Sequence, residues 1–505
     1  MEKILELDGG SFSLKDIASV ALDKCPVAIA QEAYERMRHS RAVVESLVAR
    51  GETAYGINTG FGKLSDVRIG PNQLEALQHN LVRSHACGVG EPLAEDEVRA
   101  MLLLRANVLA KGLSGVRPVV AETLVAMLNQ GIHPVIPARG SVGASGDLAP
   151  LAHLALPLIG EGEVFFNSQQ IAAADAFERT GIRPLTLAAK EGLALLNGTQ
   201  AMAGAGALAI ERALRIVELF DLSGAMSLEA LRGTPAAFDA RIHQARPHAG
   251  QIASAKHLCD LLADSEIRES HRHGDPRVQD AYCLRCMPQV HGAVRGALMH
   301  VRDVIEIESG SATDNPLIFA DGGDILSGGN FHGAPLALAL DYAAIALTDL
   351  MSISERRIDR LINPDINEGL PAFLSMDAGV SSGLMIAHVA AAALLSEAKV
   401  LSHPSSVDSV PTSGGKEDHV SMGMTGALKL RQVVSNAEHV LAIEMICAAQ
   451  GLEFRLPLKP SREVADAAAM VRETVASLRE DRVLSGEIAE LAQKIREGRF
   501  DRWRG

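Results

Sequence analysis

PLALALDYAAIALTDLM, residues 335–351, is apolar or small on nearly every face that a helix could present. Alanine and leucine lead the helix propensities and the stretch holds few β-branched residues, so it reads as an α-helix. A helix apolar all round must lie inside a bundle or be covered by another subunit. The same spacing of apolar residues by threes and fours recurs over 187–222, 288–309, 333–361, 381–401 and 423–453. Composition agrees with this reading. Of 505 residues 47% are apolar but only 3% aromatic, with 12 Phe, 4 Tyr and 1 Trp, so Leu, Ala, Val, Ile and Met must build the core. That favours closely packed helices over a β-sandwich, where aromatic and β-branched residues concentrate. Apolar content near one half also excludes a disordered chain.

Upstream of the helices the pattern changes. The first ~200 residues mix short helical stretches with Gly-rich loops, punctuated by Pro92, Pro118, Pro134, Pro137 and Pro150. EVFFNSQQIAA (163–173) reads as a hairpin turning at Asn167-Ser168, and PLIFADGGDILSG (316–328) as another turning at Asp321-Gly322-Gly323. The expected fold is therefore mainly α. An elongated bundle of long helices occupies 198–505, and a smaller mixed region (1–197) carries Gly-rich loops and short hairpins.

The 48 Lys+Arg against 62 Asp+Glu give a formal charge of −14, which argues against a nucleic-acid partner, because such binding rests on basic residues neutralising phosphates. No run of about 18 uninterrupted apolar residues predicts a membrane span, and the N-terminus lacks a basic segment followed by an apolar one. The six cysteines are too sparse for a disulfide framework. Cys283 and Cys286 have C-x-x-C spacing but no second pair, so they read as ordinary helix cysteines. His271/His273 and His243/His248 lack a ligand set, and no metal site is expected. A cytoplasmic protein is the expectation.

Glycine clusters most sharply in GSVGASGDLAP, residues 140–150. A nucleophile elbow would need Gly where Asp147 stands, a dinucleotide loop has the wrong register, and Gly415-Lys416 is followed by Glu417 rather than by the Ser or Thr of a P-loop. Two readings remain. One is a plain Gly-rich turn with Asp147 capping the helix that follows. The other is chemical: Gly146 has no Cβ, so its amide nitrogen can approach the Ala144 carbonyl. Cyclisation and loss of water at Ser145 would then leave an electrophile that none of the twenty side chains supplies.

The tripeptide has company. TAYGINTGFGKL (53–64), NLVRSHACGVG (80–90), GSVGASGDLAPLAHLAL (140–156), KEGLALLNGTQ (190–200), VQDAYCLRCMPQVHG (278–292), SATDNPLIF (311–319), SGGNFHGAP (327–335), SISERRIDRL (352–361) and KEDHVSMG (416–423) occur in this order. Together, over roughly residues 10–455, they resemble the aromatic amino acid ammonia-lyase family. The resemblance implies a mostly helical homotetramer whose active sites combine residues from three subunits. It also implies a 4-methylideneimidazole-5-one (MIO) group formed autocatalytically from Ala144, Ser145 and Gly146.

Removing an amine across an α–β bond poses two problems, a poor leaving group and a weakly acidic β-hydrogen; an electrophile answers the first and a placed base the second. By resemblance the MIO group takes the amine and Tyr55 is the base, in a Gly-rich loop suited to a closing lid. Arg285 matches the arginine that grips the substrate carboxylate. Tyr282, three residues earlier, shares its helix face. Asn197 and Gln279 match residues that hydrogen-bond the MIO group or substrate, Phe331 packs beside the ring, and Asn315 shapes the site. Ser84-His85 and Glu417 stand where the histidine-specific branch places its selectivity residues. The activity so implied is deamination of L-histidine to trans-urocanate and ammonia, the first step of histidine degradation. The alternative is the same chemistry, as lyase or 2,3-aminomutase, on Phe or Tyr. Two departures from the family pattern stand out: Lys416 before the glutamate, open to pairing with Glu417 or to pointing at solvent, and Met287 where some relatives carry Gln.

Overall fold

The computed structural model describes residues 4–505. Among the described residues nineteen α-helices dominate, and the strands form four small sheets of two or three strands each. The long helices are Gln200–Ala230, Met287–Ser309, Ala334–Ile362, Met385–Leu401 and Gly423–Glu453. Four of these five match the expected ranges to within a few residues. The exception is 187–222, where a short helix, Glu191–Leu196, ends at Asn197 and a new one starts at Gln200 and runs on to Ala230. Asn197 has extended backbone, and Gly198 follows without a side chain to pack, so the helix breaks there. Both hairpins form in the expected register: Glu163–Phe166 pairs antiparallel with Gln169–Ala172, and Leu317–Phe319 with Asp324–Leu326. Asn167 and Ser168 take the positive φ that the first turn needs.

The chain divides into two compact units, each assembled from three segments. The first comprises Met1–Glu211, Val301–Asp341 and Pro404–Leu428. Its centre is the helix Glu95–Ala110, buried at every position from Glu97 onward. A cluster of Val44, Leu47, Ile57, Leu74, Ala189 and Ile318 seals the base of the loop that carries Tyr55. The second unit comprises Arg212–His300, Tyr342–His403 and Lys429–Gly505. Its interior is helical and also strongly polar. The Glu444 carboxylate, fully buried, takes two hydrogen bonds from Arg357 and one each from Ser223, Ser227 and Ser354, so the charge is paired and its oxygens are satisfied. Asp221, also fully buried, accepts from Ser254, His257, His291 and Arg295.

The helix Ala334–Ile362 is long and apolar enough to cross a membrane, and 61% of its most apolar window is buried within the chain. Leu336, Leu340, Ala343, Leu347 and Leu350 face inward, whereas Leu338, Tyr342 and Ile345 are exposed one helical turn apart. Cys283 lies in a one-turn helix, Tyr282–Arg285, and Cys286 falls just past its end rather than within it.

Candidate active site

A cavity of about 500 Å³ opens in the first unit, lined by Tyr55, Ala144, Ser145, Asn197, Asn315, Phe331 and Glu417 among others. A second cavity, of about 280 Å³, shares Tyr55, Ser145, Asn197 and Glu417 and adds His85, Leu81, Leu193 and Leu196. These sizes suit a small-molecule ligand. The larger cavity is lined mainly by polar and charged side chains, and the smaller one adds the aliphatic Leu64, Leu81, Leu148, Leu193 and Leu196.

The tripeptide sits in the loop before the helix Leu148–Ala155. Ala144 is buried, and the Ser145 hydroxyl donates to Glu417 Oε1 at 2.7 Å. Gly146 takes φ +74°, and a Cβ there would stand 2.0 Å from the Gly198 carbonyl oxygen. Only glycine permits both the dihedral and the contact. The same Gly198 oxygen accepts the Asp147 amide at 2.7 Å, so the helix break at 197–199 is the surface on which the tripeptide rests. Asp147 does precede the helix but does not cap it with its side chain. Its buried carboxylate accepts from Ser141 Oγ at 2.7 Å and from the Met202 amide at 2.8 Å, in the first turn of Gln200–Ala230. The capping role thus goes to a different helix. Burial raises this carboxyl to about 6, against the pull of those hydrogen bonds.

Glu417 is the polar hub. Besides Ser145 it accepts from Thr412 Oγ1 and Ser413 Oγ, each at 2.7 Å. Burial pushes its carboxyl up, but these hydroxyls together with His85 hold it below the usual carboxylate range, so it is ionised at neutral pH. His85 ends the helix Leu74–His85, and its Nδ1 lies 2.9 Å from the Leu81 carbonyl, which can only accept. Nδ1 therefore carries the proton, and Nε2 is left as an acceptor. Burial lowers the His85 pKa and keeps the ring neutral. Ser84 lines neither cavity; its hydroxyl lies 3.0 Å from His85 Nδ1 and steadies the ring. Tyr55 lies on the loop between helices, and burial raises its phenol above the ordinary value, countered by a bond from the Gly62 amide and reinforced by Glu417.

Asn197 places its side-chain oxygen in a buried position without a partner, while its main-chain carbonyl accepts from Arg105 at 2.9 Å. The Asn315 side-chain oxygen accepts from Ser327 Oγ and the Gly328 amide, which ties it to the neighbouring cavity-lining loop. Gln279, Tyr282 and Arg285 belong to the second unit, and none of them lines either cavity. Gln279 is exposed and lies outside any helix, and Tyr282 is 70% exposed. The one-turn helix brings the Arg285 guanidinium over the Tyr282 ring, 4.5 Å from its centroid, which bears out their shared face. Met287 is buried within the second unit.

Sequence reasoning missed several lining groups. Thr412 and Ser413 hold Glu417, and their hydroxyls flank it closely enough in sequence to have been noticed. His332 and His419 stack in parallel with centroids 5.7 Å apart at the wall of the larger cavity, beside Lys416 and Asp418. Nothing in their spacing announces that contact.

A family model described as aromatic amino acid lyase matches residues 12–473, nearly the whole chain. The chain belongs to the aromatic amino acid lyase family. Proteins named histidine ammonia-lyase from Koribacter versatilis and from Anaeromyxobacter sp. (strain K) are each 54% identical to it, over 99% of this chain and 99% of their own. Among solved structures, histidine ammonia-lyase from Trypanosoma cruzi superposes with a TM-score of 0.92 at 43% identity, covering 99% of this chain and 95% of the other. Tyrosine aminomutase from Streptomyces globisporus superposes at 0.94 with 38% identity over 99% and 98%. The helical fold of this lyase is thus common to members named for different substrates and different reactions.

Proposed function

We propose that the protein deaminates L-histidine to trans-urocanate and ammonia as a carbon–nitrogen lyase. The observation that carries this is the pairing of Glu417 and His85 along one cavity wall. An ionised carboxylate and a neutral imidazole whose Nε2 is an acceptor offer alternative acceptors for the ring N–H of a substrate imidazole. A phenyl ring would bring no donor of its own to that half-buried carboxylate, a mismatch that favours a ring carrying an N–H. Full-length relatives named histidine ammonia-lyase support the same reading.

The reaction also needs an electrophile for the amine, and residues 144–146 fit one. Gly146 nitrogen bonds to the Ala144 carbonyl carbon, and that oxygen leaves as water with the amide protons of Gly146 and Ser145. Ser145 then loses its hydroxyl and its Cα proton as a second water, which gives the exocyclic double bond of an MIO group. The buried turn, the Cβ-free contact of Gly146 with Gly198 and the unpartnered Asn197 oxygen are the features that suit it. When formed, the group supplies electrophilic activation of the amine. Asn197 would hold it, Phe331 would pack beside it, and Tyr55 would take the β-proton, with the Gly56–Gly62 loop excluding water.

Gln279, Tyr282 and Arg285 are read as contributions to the site of another copy in a homotetramer, with Arg285 gripping the carboxylate. The exposure of Gln279 and Tyr282 and the absence of all three from either cavity lining support that reading, as does the exposed stripe of Leu338, Tyr342 and Ile345. The test is spectrophotometric: growth of the urocanate band with L-histidine, set against the cinnamate and coumarate bands with L-Phe and L-Tyr. Turnover of Phe or Tyr in preference to His would overturn the assignment. Ser145→Ala should remove most activity without unfolding the protein, and full activity in that variant would refute the electrophile.

A further inference from the structure

Arg105 lies in the central helix Glu95–Ala110 and is fully buried. Its Nη1 donates to the Asn197 carbonyl and to Gln200 Oε1, both at 2.9 Å, while Nε and Nη2 have no hydrogen-bond partner. A buried guanidinium with unused donors is destabilising in itself. The surroundings compensate only in part. Asp314 is the nearby carboxylate, but the equally buried Lys190 already holds it at 2.8 Å. Two cations share one anion in the interior of the first unit.

The location explains the arrangement. Arg105 clamps the two ends of the helix break, Asn197 on one side and Gln200 on the other, and Gln200 Nε2 is tied in turn to Thr313 Oγ1 at 2.7 Å. Between them the chain passes so close that a Cβ on Gly198 would stand 2.4 Å from Arg105 Nη1. The opposite face of Gly198 is the oxygen that bonds the Asp147 amide and abuts Gly146. We propose that Arg105 is a positioning residue for ring closure: it fixes the Asn197–Gly198 wall that presses Gly146 towards the Ala144 carbonyl. This rests on the reading that residues 144–146 cyclise. A wall free to retreat by a few tenths of an ångström would let the Gly146 nitrogen drift from the carbon that it must attack, because near-attack geometry is steep in distance. The Asn197 side chain, anchored through the same carbonyl, would lose its placement as well.

The test compares wild type with Arg105→Met, which keeps bulk but removes charge and both bonds, and Arg105→Lys, which keeps the charge on a shorter arm. Intact mass reads ring closure directly, since two lost waters amount to about 36 Da. Wild type should show the full loss. Arg105→Met should keep its helical circular dichroism while most chains retain the uncyclised mass, and Arg105→Lys should fall between. Turnover per chain should drop about tenfold or more in Arg105→Met with KM changed less than about threefold, because the chains that do close still bind substrate. Complete mass loss in a folded Arg105→Met overturns the proposal. If that variant does not fold, Gln200→Met, which removes one of the two clamped acceptors, decides: partial closure supports the role, and complete closure overturns it. A wild-type chain without any mass loss would instead overturn the cyclisation itself, a result distinct from closure that persists in the variants.

Discussion

Gly146→Ala tests the geometry beneath the tripeptide. Residue 146 has φ +74°, a conformation that costs an L-residue about 1–2 kcal/mol. The added Cβ would lie 2.0 Å from the Gly198 oxygen, 2.5 Å from its carbonyl carbon and 2.9 Å from its nitrogen, whereas real Cβ contacts stay beyond 3.0 Å. All three atoms are backbone, so the wall must move rather than a flexible side chain. Moving it pulls the Gly198 carbonyl from the Asp147 amide, and a buried N–H left unpaired costs about 1–3 kcal/mol. The two contributions give a loss of about 2–5 kcal/mol. Gly131→Ala is the control: its φ is +69°, but nothing lies within 4 Å of the new Cβ, so only the dihedral penalty applies. Urea unfolding of both variants, alongside intact mass, separates the contributions. Equal destabilisation of the two variants within about 0.5 kcal/mol, or complete ring closure in Gly146→Ala, would refute the account of the contact.

Three other expectations can be checked. Glu417→Gln replaces a carboxylate held by three hydroxyls with a neutral amide; kcat/KM for L-histidine should fall by about tenfold or more and the preference over L-Phe should narrow, measured by competing the two substrates. Burial raises the Tyr55 phenol and lowers His85, so a base that must be ionised and a ring that must be neutral both favour alkaline conditions; kcat/KM should climb with pH beyond neutrality, and Tyr55→Phe should flatten the upper limb while leaving the His85 limb in place. In the second unit, Arg357→Met leaves the Glu444 charge buried without its main partner and should cost about 3–5 kcal/mol, while Arg357→Met combined with Glu444→Met should recover much of that in denaturant unfolding.

Much of this molecule was legible in its sequence, for reasons that differ from place to place. The helices at 288–309, 333–361 and 423–453 were plain because Ala and Leu at 3–4 spacing carry both propensity and pattern. The hairpins were plain because Asn167-Ser168 and Asp321-Gly322-Gly323 are turn chemistry between short apolar runs. Residues 187–222 read as one helix because the apolar period continues through Asn197-Gly198-Thr199, and the backbone contacts made at the break, from Arg105 and Asp147, come from residues remote in sequence. Asp147 looked like a cap for its own helix, but burial turned its carboxylate to the amide of Met202. The cavity gathers Tyr55, Ser145, Asn197, Asn315, Phe331 and Glu417 as their motifs suggested, whereas Gln279, Tyr282 and Arg285 line neither cavity. The His332–His419 stack depends on two loops meeting, which no local pattern records.

The bond from Ser145 to Glu417 joins residues 272 positions apart. A ribosome that has released the first 200 residues has released the tripeptide, its Gly198 wall and Arg105, but not the carboxylate that holds the serine or the Phe331 that lines the same pocket. The serine of the tripeptide therefore meets the carboxylate that accepts its hydrogen bond only when most of the chain has been made.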